Sequence, residues 1–275
     1  MSLSSLADVL RPAVTEGYAV MGAVVLGWED AETYVEAAEE AGAAIILQAG
    51  PNFRQSVPVN VSGTMFRTLG EAAAVPVVAH IDHAKSIEEC RTGIEAGFTS
   101  VMYDGSALPL EENIATTAEV VSLARRHGVS VEAEIGFVGY AEGANSEHTD
   151  PQEAAKLVAE TGVDALAVSV GNTHLQQSDL AEINLERLAE IEAVTDCPLV
   201  LHGASGIPAA MRRHLALKTR VCKFNVGTEF RYAFGQTLRR VLAEDASVFD
   251  RREIFKKTMP TLKTLAIEVM SSIRP

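Results

Sequence analysis

Cysteine is scarce in this chain of 275 residues, and the cysteines present do not form pairs. Cys90, Cys197 and Cys222 are widely spaced, and none belongs to a C-x-x-C motif. Disulfide frameworks and thiolate metal sites both need paired cysteines. The sequence therefore predicts neither kind of site, and a reducing cytoplasm is the expected compartment.

Positive charge is also in short supply, because 23 Lys and Arg residues face 37 Asp and Glu residues and the net charge is −14. A nucleic-acid-binding surface needs a basic face, which this balance argues against. No apolar run approaches the length of a membrane span, and residues 1–8 lack the basic region and apolar core of a signal peptide. We expect an intracellular protein that binds neither nucleic acid nor membranes.

A glycine-rich phosphate turn is missing after the first predicted strand, where the sequence reads Val25-Leu26-Gly27-Trp28-Glu29. Doubly wound open sheets normally carry G-x-G-x-x-G at that place, so this architecture is disfavoured. The sequence also shows no internal repeat, low-complexity segment or break in composition. With 47% hydrophobic and 22% charged residues, it has the composition of a soluble domain with a substantial core. We expect one domain over residues 1–275.

Short apolar runs alternate with helical patterns along the whole chain. Eight runs are predicted as strands: Tyr18–Val25, Ala43–Ala49, Val75–Asp82, Thr99–Asp104, Val129–Ile135, Ala165–Val170, Pro198–His202 and Val221–Val226. Helical spacing of Ala, Leu and Val predicts helices at Asp30–Ala41, Ser86–Ala96, Leu110–His127, Asp150–Thr161, Asn184–Val194 and Pro208–Leu217. Ser86 and Asp150 are the expected N-caps of two of them. The pattern predicts an α/β protein with a single (β/α)8 TIM barrel, a fold that commonly fills about 250 residues.

Two segments depart from this alternation. The chain after Ala246 predicts an extra C-terminal helical segment, in which Phe249–Arg252 breaks the pattern and Thr261–Met270 resumes it. The loop Phe137–Thr149, rich in Gly, Ala, Asn and Glu, is unusually long for a compact domain. Loops of this length are often functional, so we expect it to act near the site.

Polar residues follow six of the eight predicted strands, at the end of a barrel where active sites are built. His83, His174 and His202 come after three different strands. Three imidazoles with an open fourth position are typical of catalytic zinc. Asp82, next to His83, is placed to abstract a proton from a carbon acidified by a metal-bound carbonyl.

Four further polar residues lie within predicted strands three, four and five. Asp104 and Glu134 could orient the imidazoles or bind a second cation. His80 and Glu132 lie two residues before Asp82 and Glu134. We interpret His80 as more often structural than metal-binding, and Glu132 shares that ambiguity.

Phosphate recognition needs backbone N–H groups, small residues and hydroxyls near the start of a helix, and barrels usually place it after strands seven and eight. Gly203-Ala204-Ser205-Gly206 and Asn225-Val226-Gly227-Thr228 occupy these two places. Each motif alone also fits a simple strand end. Their joint occurrence beside His202 favours a phosphate site.

The order and spacing of six motifs are specific enough to indicate a family. The motifs are His80-Ile81-Asp82-His83, Ala96–Met102, Val131–Gly136, Gly171-Asn172-Thr173-His174, Leu201–Gly206 and Lys223–Glu229. Over nearly its whole length the chain resembles the class II, metal-dependent ketose-bisphosphate aldolases, especially the fructose- and tagatose-bisphosphate aldolase group.

This resemblance implies a retro-aldol cleavage of a sugar or sugar phosphate through a metal-stabilised enediolate. It implies Zn²⁺ as the cofactor, with another divalent cation as the alternative and a monovalent cation as a further candidate. It also implies a cytoplasmic homodimer or homotetramer. The implied zinc ligands are His83, His174 and His202, and Asp104 and Glu134 match a second or alternate metal site.

The resemblance also gives roles to the remaining site residues. Asp82 would transfer the proton, and Glu142 in the long loop would assist when that loop closes and excludes water. The implied contacts of the substrate's phosphate and hydroxyls are the Leu175 amide, Gly203, Ser205, Asn225, Gly227 and Thr228.

Several positions depart from the family pattern. The first two strands end in Val25 and Gly50, where the family usually has Asn and Ser, and Asp179 stands near the place of a usual Lys. Losing a cation and gaining an anion is unfavourable for a phosphate dianion. We therefore expect an altered ketose substrate, singly phosphorylated or with a non-phosphorylated aldehyde half.

Two competing interpretations stay open at the level of sequence. Lys223 lies in the last predicted strand, and a desolvated lysine could form a Schiff base with the substrate carbonyl. The chain could alternatively be a barrel that binds sugar phosphates without cleaving them. The presence of the candidate base together with three candidate ligands favours the metal-dependent aldolase.

Overall fold

A computed structural model describes residues 2–139, 146–174 and 181–275. Its strands are β1 (Val20–Val24), β2 (Ile45–Ala49), β3 (Val77–Ala84), β4 (Ser100–Tyr103), β5 (Ser130–Ile135), β6 (Ala165–Val168), β7 (Leu199–Leu201) and β8 (Val221–Val226). Each strand pairs in parallel with the next, and β8 pairs with β1 to close the ring. The structure confirms the predicted (β/α)8 barrel.

Helices surround the ring of strands. They are α1 (Leu6–Glu16), α2 (Trp28–Ala41), α3 (Pro51–Ser56), α4 (Val59–Ala72), α5 (Ile87–Glu95), α6 (Leu110–Arg125), α7 (Pro151–Thr161), α8 (Leu185–Val194), α9 (Ala209–Lys218), α10 (Thr228–Glu244) and α11 (Arg251–Ser272). Their apolar faces and the outward residues of the strands form the main core. In the described part of the chain, no helix is long and apolar enough to cross a membrane.

The predicted helix starts are confirmed at two positions. The Ser86 hydroxyl accepts a hydrogen bond from the Glu89 N–H, and the Asp150 carboxylate accepts from the N–H groups of Gln152 and Glu153. These side chains satisfy backbone donors that have no partner within the first helical turn. The caps therefore fix where the chain turns from the loops into α5 and α7.

The first helix, α1, was not among the predicted helices, and it closes the lower end of the barrel. Its Leu6, Val9 and Leu10 pack in one cluster with buried side chains from the N-terminal halves of the strands. The Ala7 N–H donates to the Ser130 hydroxyl at the start of β5, at 3.1 Å. Pro12 lies inside this helix, which weakens any prediction of a helix from sequence alone.

The C-terminal tail forms one long helix that begins ten residues before the predicted Thr261. Asp250 is its N-cap and accepts from the Arg252 N–H at 2.8 Å. The predicted interruption at Phe249–Arg252 is confirmed for Phe249 and Asp250, which lie between α10 and α11, whereas Arg251 and Arg252 already belong to the first turn of α11. The helix packs against α2 and α10 on the outside of the barrel.

Candidate active site

The C-terminal ends of the strands surround a cleft of about 250 Å³. Most of the site residues predicted from the sequence line it: Asp82, His83, Asp104, His174, Gly203, Ser205, Asn225, Gly227 and Thr228. His202 and Glu134 are buried beside these residues. Glu134 contacts His83, and His202 contacts Glu134. The structure thus brings together side chains that lie more than 100 residues apart in sequence.

The three histidines converge on one point. Their ring centroids are 5.3 Å apart for His83 and His174, 4.6 Å for His83 and His202, and 5.7 Å for His174 and His202. One nitrogen of each lies within 4.8 Å of the others, so the rings form a group that could hold a metal ion. Within residues 2–139, 146–174 and 181–275, the buried Nδ1 of His202 has no hydrogen-bond partner, as expected for an atom that ligates a cation. The donor set suits zinc, which prefers imidazole nitrogen.

His83 reaches this point because β3 is irregular at its end. The pairing of β3 with β4 shifts register between Ile81 and Ala84, and His83 has a φ of 51°. The guanidinium of Arg54, in α3, donates to the backbone carbonyl oxygens of Asp82 and His83. The local backbone, and not the side chain alone, therefore aims the imidazole into the cleft.

Asp104 and Glu134 form a second possible metal group with His83. Asp104 Oδ2 lies 2.7 Å from His83 Nδ1 and accepts from Lys85 Nζ at 2.6 Å, while its Oδ1 accepts from the Ser106 hydroxyl at 2.6 Å. Both oxygens are thus bound by protein groups in this structure. The arrangement makes Asp104 an orienting partner of the His83 ring.

Burial and neighbouring charges shift the pKa values of these groups in different directions. Burial lowers the pKa of His83, but the carboxylates of Asp82, Asp104 and Glu134 outweigh it and raise that pKa to about 9. Burial and the neighbouring His202 lower the pKa of His174 to about 3. Burial and Asp104 raise the pKa of Glu134 to about 8. At neutral pH the metal-free cluster therefore holds protons on His83 and on Glu134 and leaves His174 neutral.

Among the described residues, the side-chain donors to the Asp82 carboxylate reach one of its two oxygens. Gln48 Nε2 donates to its Oδ1 at 3.1 Å, and Asn225 Nδ2 donates to the same oxygen at 3.3 Å. Its Oδ2 is directed towards Gly50, at the edge of the cleft. One carboxylate oxygen is thus fixed, and the other is left to take or give a proton. Sequence reasoning did not identify Gln48, although a glutamine within the apolar run Ile45–Ala49 is an unusual residue.

A layer of buried polar residues lies below the cleft. Lys223 Nζ donates to Glu132 Oε2 at 2.6 Å, and Glu132 Oε1 lies 3.0 Å from His202 Nε2. His80 Nδ1 lies 2.8 Å from the Ser100 hydroxyl, and His80 is in neither of the two possible metal groups of the described residues. This placement agrees with the prediction of a structural role for His80.

The two glycine-rich loops meet at the start of α10. The Ser205 hydroxyl accepts from the backbone N–H groups of Gly227 and Glu229, at 3.4 and 3.2 Å. Gly203 has a φ of 63°, and a Cβ there would lie 2.2 Å from the carbonyl oxygen of Thr173. Only glycine fits this close approach, which places the loop after β7 directly beside the loop that carries His174.

Two predicted site residues, Glu142 and Leu175, lie outside the described residues. The base of the loop that contains Glu142 is described, and it is closed by reciprocal backbone hydrogen bonds between Phe137 and Glu147, at 2.9 and 2.7 Å. The His174 N–H donates to the Gly139 carbonyl oxygen at 2.8 Å. The base of the long loop therefore adjoins the backbone of a candidate metal ligand.

A closed parallel barrel with converging imidazoles and a carboxylate at its C-terminal face is the layout of a metal-dependent barrel enzyme. The chain belongs to the class II fructose-bisphosphate aldolase family, whose model matches residues 4–274. The predicted family and the predicted aldolase class are confirmed.

Individual relatives match the chain nearly end to end. The fructose-bisphosphate aldolase of Geobacillus stearothermophilus is 36% identical over 280 residues, which cover 98% of this chain and 96% of that protein. The 6-phospho-5-dehydro-2-deoxy-D-gluconate aldolase of Bacillus licheniformis is 37% identical and covers 92% of this chain and 88% of its own length. The crystal structure of the YdjI aldolase from Escherichia coli K12 superimposes with a TM-score of 0.85 and 31% identity, covering 98% of this chain and 97% of that one.

Proposed function

We propose that this protein is a zinc-dependent aldolase that reversibly cleaves a phosphorylated ketose at a carbon–carbon bond. The observation that carries the proposal is the convergence of His83, His174 and His202 beside a carboxylate with one free oxygen. A zinc ion bound by these imidazoles would supply a Lewis acid that polarises the substrate ketone and acidifies the adjoining carbon. A monovalent cation, which the family resemblance also implies, is a further candidate.

Asp82 transfers a proton at the reacting bond through Oδ2. Because Gln48 and Asn225 hold Oδ1, the carboxylate cannot turn away from the cleft without losing two hydrogen bonds. A proton-transferring group must lie within hydrogen-bond reach of its target, and a fixed orientation meets this need. Glu142 assists from the long loop, whose described base adjoins His174.

The phosphate binds where the loops after β7 and β8 meet. The Ser205 hydroxyl joins these loops by accepting from the N–H groups of Gly227 and Glu229 at the start of α10. A helix start favours an anion through the helix dipole and through the N–H groups that have no partner within the helix. Gly203, Asn225, Gly227 and Thr228 line the same part of the cleft, and the Leu175 amide is proposed to complete the set.

The substrate we propose carries a single phosphate, or has a non-phosphorylated aldehyde half. Among the described residues that line the cleft, the lysine and arginine side chains are Lys85 and Arg231, and Lys85 is paired with Asp104. A second phosphate would therefore meet little uncommitted positive charge there. The names of the relatives also differ in phosphorylation, since one names a bisphosphate and another a 6-phospho sugar acid.

Steady-state rates on a panel of ketose phosphates, measured with and without EDTA, test this function. We expect EDTA to abolish turnover and a singly phosphorylated ketose to be the best substrate. Turnover that survives EDTA would contradict metal dependence. Fructose bisphosphate as the best substrate by a wide margin would contradict the altered substrate range.

Two variants separate metal binding from proton transfer. We expect His202→Ala to lose both zinc and activity, because it removes a ligand. We expect Asp82→Ala to keep zinc and lose activity by about 100-fold or more, the usual contribution of a positioned proton-transferring group. Equal metal loss in both variants would contradict the role given to Asp82.

The competing Schiff-base mechanism has little support from the geometry. Lys223 is fully buried, is paired with Glu132 at 2.6 Å and is not among the residues that line the cleft. A nucleophilic lysine must reach the substrate carbonyl as the free amine. Borohydride trapping of a substrate on the protein would reverse this preference.

We also propose that the enzyme works in the cytoplasm as a homodimer or homotetramer, as the family resemblance implies. Light scattering of the purified protein would measure the assembly, and a monomer at working concentration would contradict it.

A further inference from the structure

Three buried side chains form a continuous line inside the barrel, from β8 through β5 to the end of β7. Lys223 Nζ donates to Glu132 Oε2 at 2.6 Å, and Glu132 Oε1 lies 3.0 Å from His202 Nε2. All three side chains have 0% exposure. The line runs from a buried ammonium group to a candidate metal ligand.

Burying an ion pair costs the desolvation of two charged groups, and apolar residues of similar size often stabilise a fold equally well. Neither Lys223 nor Glu132 lines the cleft, so contact with substrate does not explain them. The pair does have one consequence for the site. It presents a carboxylate oxygen to the far side of the His202 ring.

A carboxylate can only accept a hydrogen bond, so the ring nitrogen that faces it must carry the hydrogen. In His202 that nitrogen is Nε2. A neutral imidazole with its hydrogen on Nε2 keeps the lone pair on Nδ1. Nδ1 lies 3.4 Å from Glu134 Oε2, but neither atom makes a hydrogen bond among the described residues. A metal ion needs that lone pair.

We propose that Glu132, held in place by Lys223, is a positioning residue that fixes the tautomer of His202 so that Nδ1 is the metal-binding atom. The inference rests on the proposed metal-dependent function. Lys223 neutralises the carboxylate and occupies its second oxygen, which leaves the first oxygen for the imidazole.

The arrangement gives Glu132→Gln an unusual expected effect. The amide oxygen of glutamine would turn towards the Lys223 ammonium, because two donors cannot face each other. Its NH₂ group would then donate to His202 Nε2 and move the ring hydrogen to Nδ1. A substitution that preserves size would therefore block the ligating atom.

Two measurements test the proposal. Long-range ¹H–¹⁵N spectra of metal-free, histidine-labelled protein report which ring nitrogen carries the hydrogen. We expect Nε2–H for His202 in the wild type and Nδ1–H in Glu132→Gln. Competition with a chromophoric zinc chelator should show an affinity about 10- to 100-fold lower in Glu132→Gln, the range seen when such partners are lost.

A second variant separates tautomer control from general damage to the interior. In Glu132→Gln/Lys223→Met the amide no longer faces an ammonium group and can turn its oxygen to His202 Nε2. We expect the Nε2–H tautomer and most of the zinc affinity to return. Ser100→Ala is the matched control, because it removes a buried hydrogen bond to His80, whose Nε2 lies 3.8 Å from Glu132 Oε2, and leaves both groups of the Glu132–His202 and Glu132–Lys223 contacts in place. Its zinc affinity should stay within about threefold of the wild type.

The outcomes distinguish the role proposed for Glu132 from the proposed metal-dependent function on which it rests. A wild type without zinc affinity would overturn the proposed metal dependence. Normal zinc binding by Glu132→Gln, or an Nδ1–H tautomer of His202 in the wild type, would overturn only the role of Glu132. The wild-type spectrum decides the matter even if the buried variants fail to fold.

Discussion

Arg54 donates a hydrogen bond from Nη2 to the backbone carbonyl oxygen of His83, 3.2 Å away. His83 is the one non-glycine residue with a positive φ in the described ranges. A backbone of this kind costs about 1–3 kcal/mol and persists only when its surroundings enforce it. The same guanidinium also binds the carbonyl oxygens of Asp82 and Ala49, both at 2.5 Å, so one side chain joins the ends of β2 and β3.

Replacing Arg54 should therefore damage both stability and metal binding. We expect Arg54→Ala to lower the free energy of unfolding by about 1–3 kcal/mol, because a nearly buried hub of hydrogen bonds is lost. Each kcal/mol of lost stability lowers Tm by about 2–4 °C, so differential scanning calorimetry can measure the change. Arg91→Ala removes a guanidinium from an exposed pair with Glu88 and should change stability by less than about 0.5 kcal/mol. Equal effects of the two variants would contradict the role of Arg54.

Gln48 should matter for the rate and not for the metal. In Gln48→Met the side chain keeps its length but loses the donor to Asp82 Oδ1. A hydrogen bond to a charged group is worth about 1.5–3 kcal/mol, so we expect kcat to fall at least about tenfold. Zinc content, measured by atomic absorption, should not change. A loss of zinc that parallels the loss of kcat would instead indicate a collapsed site.

Gly203 and Gly42 offer a matched pair of glycine substitutions. Both have left-handed backbones, with φ of 63° and 58°, but a Cβ at Gly42 meets nothing within 4 Å whereas one at Gly203 lies 2.2 Å from the Thr173 carbonyl oxygen. Gly42→Ala should cost about 1–2 kcal/mol from backbone strain alone. Gly203→Ala must also displace the loop that carries His174.

We therefore expect Gly203→Ala to lose zinc affinity as well as stability, and Gly42→Ala to lose stability only. Thermal unfolding and zinc titration of both variants would test this pair. Normal zinc affinity in Gly203→Ala would show that the two loops move independently.

The cysteines should be unreactive until the protein unfolds. Cys90, Cys197 and Cys222 are buried, and burial raises the pKa of Cys90 and Cys197 to about 12 and that of Cys222 further still. The thiolate is the reactive form, so we expect no labelling by Ellman's reagent at about pH 8 in the native state and three labelled thiols after denaturation. Rapid native labelling would contradict their placement.

The same shifts have a consequence for stability. Above the ordinary thiol pKa of 9.0, unfolded cysteines lose protons that the folded ones keep. The unfolded state then binds fewer protons, so the free energy of unfolding falls as pH rises from about 9 towards about 12. Urea denaturation at a series of pH values measures this slope, and replacing Cys90 with Ala should reduce it.

The barrel and the residues at its mouth could be predicted from the sequence, because the signals for both lie in short stretches of the chain. Strand and helix patterns recur with short periods, and a residue at a strand end is recognisable from its own neighbours. The helices α1 and α4 were harder, since α1 contains Pro12 and α4 contains several poor helix formers. Packing on the barrel decides these helices.

The contacts that support the site could not be predicted from the sequence, because they join residues far apart in the chain. Gln48 touches a residue 34 positions away, and Lys223 touches one 91 positions away. Nothing in either local pattern specifies the partner, because strand tilt and register around the closed ring decide which inward side chains meet. Lys223 illustrates the point, since the sequence left a nucleophilic role open as an alternative and the structure pairs its ammonium group with buried Glu132.

Helix α1 seals the floor of the barrel with apolar side chains, while the polar cleft opens at the mouth. In the proposed function, the substrate, the products and a bound metal ion would all enter and leave through this cleft. A sugar bound in the cleft would stand between the metal and the solvent, so occupancy by substrate should slow the escape of zinc to a chelator. Because α1 closes the opposite end of the barrel, the rate at which a bound metal ion leaves would then depend on whether substrate occupies the cleft.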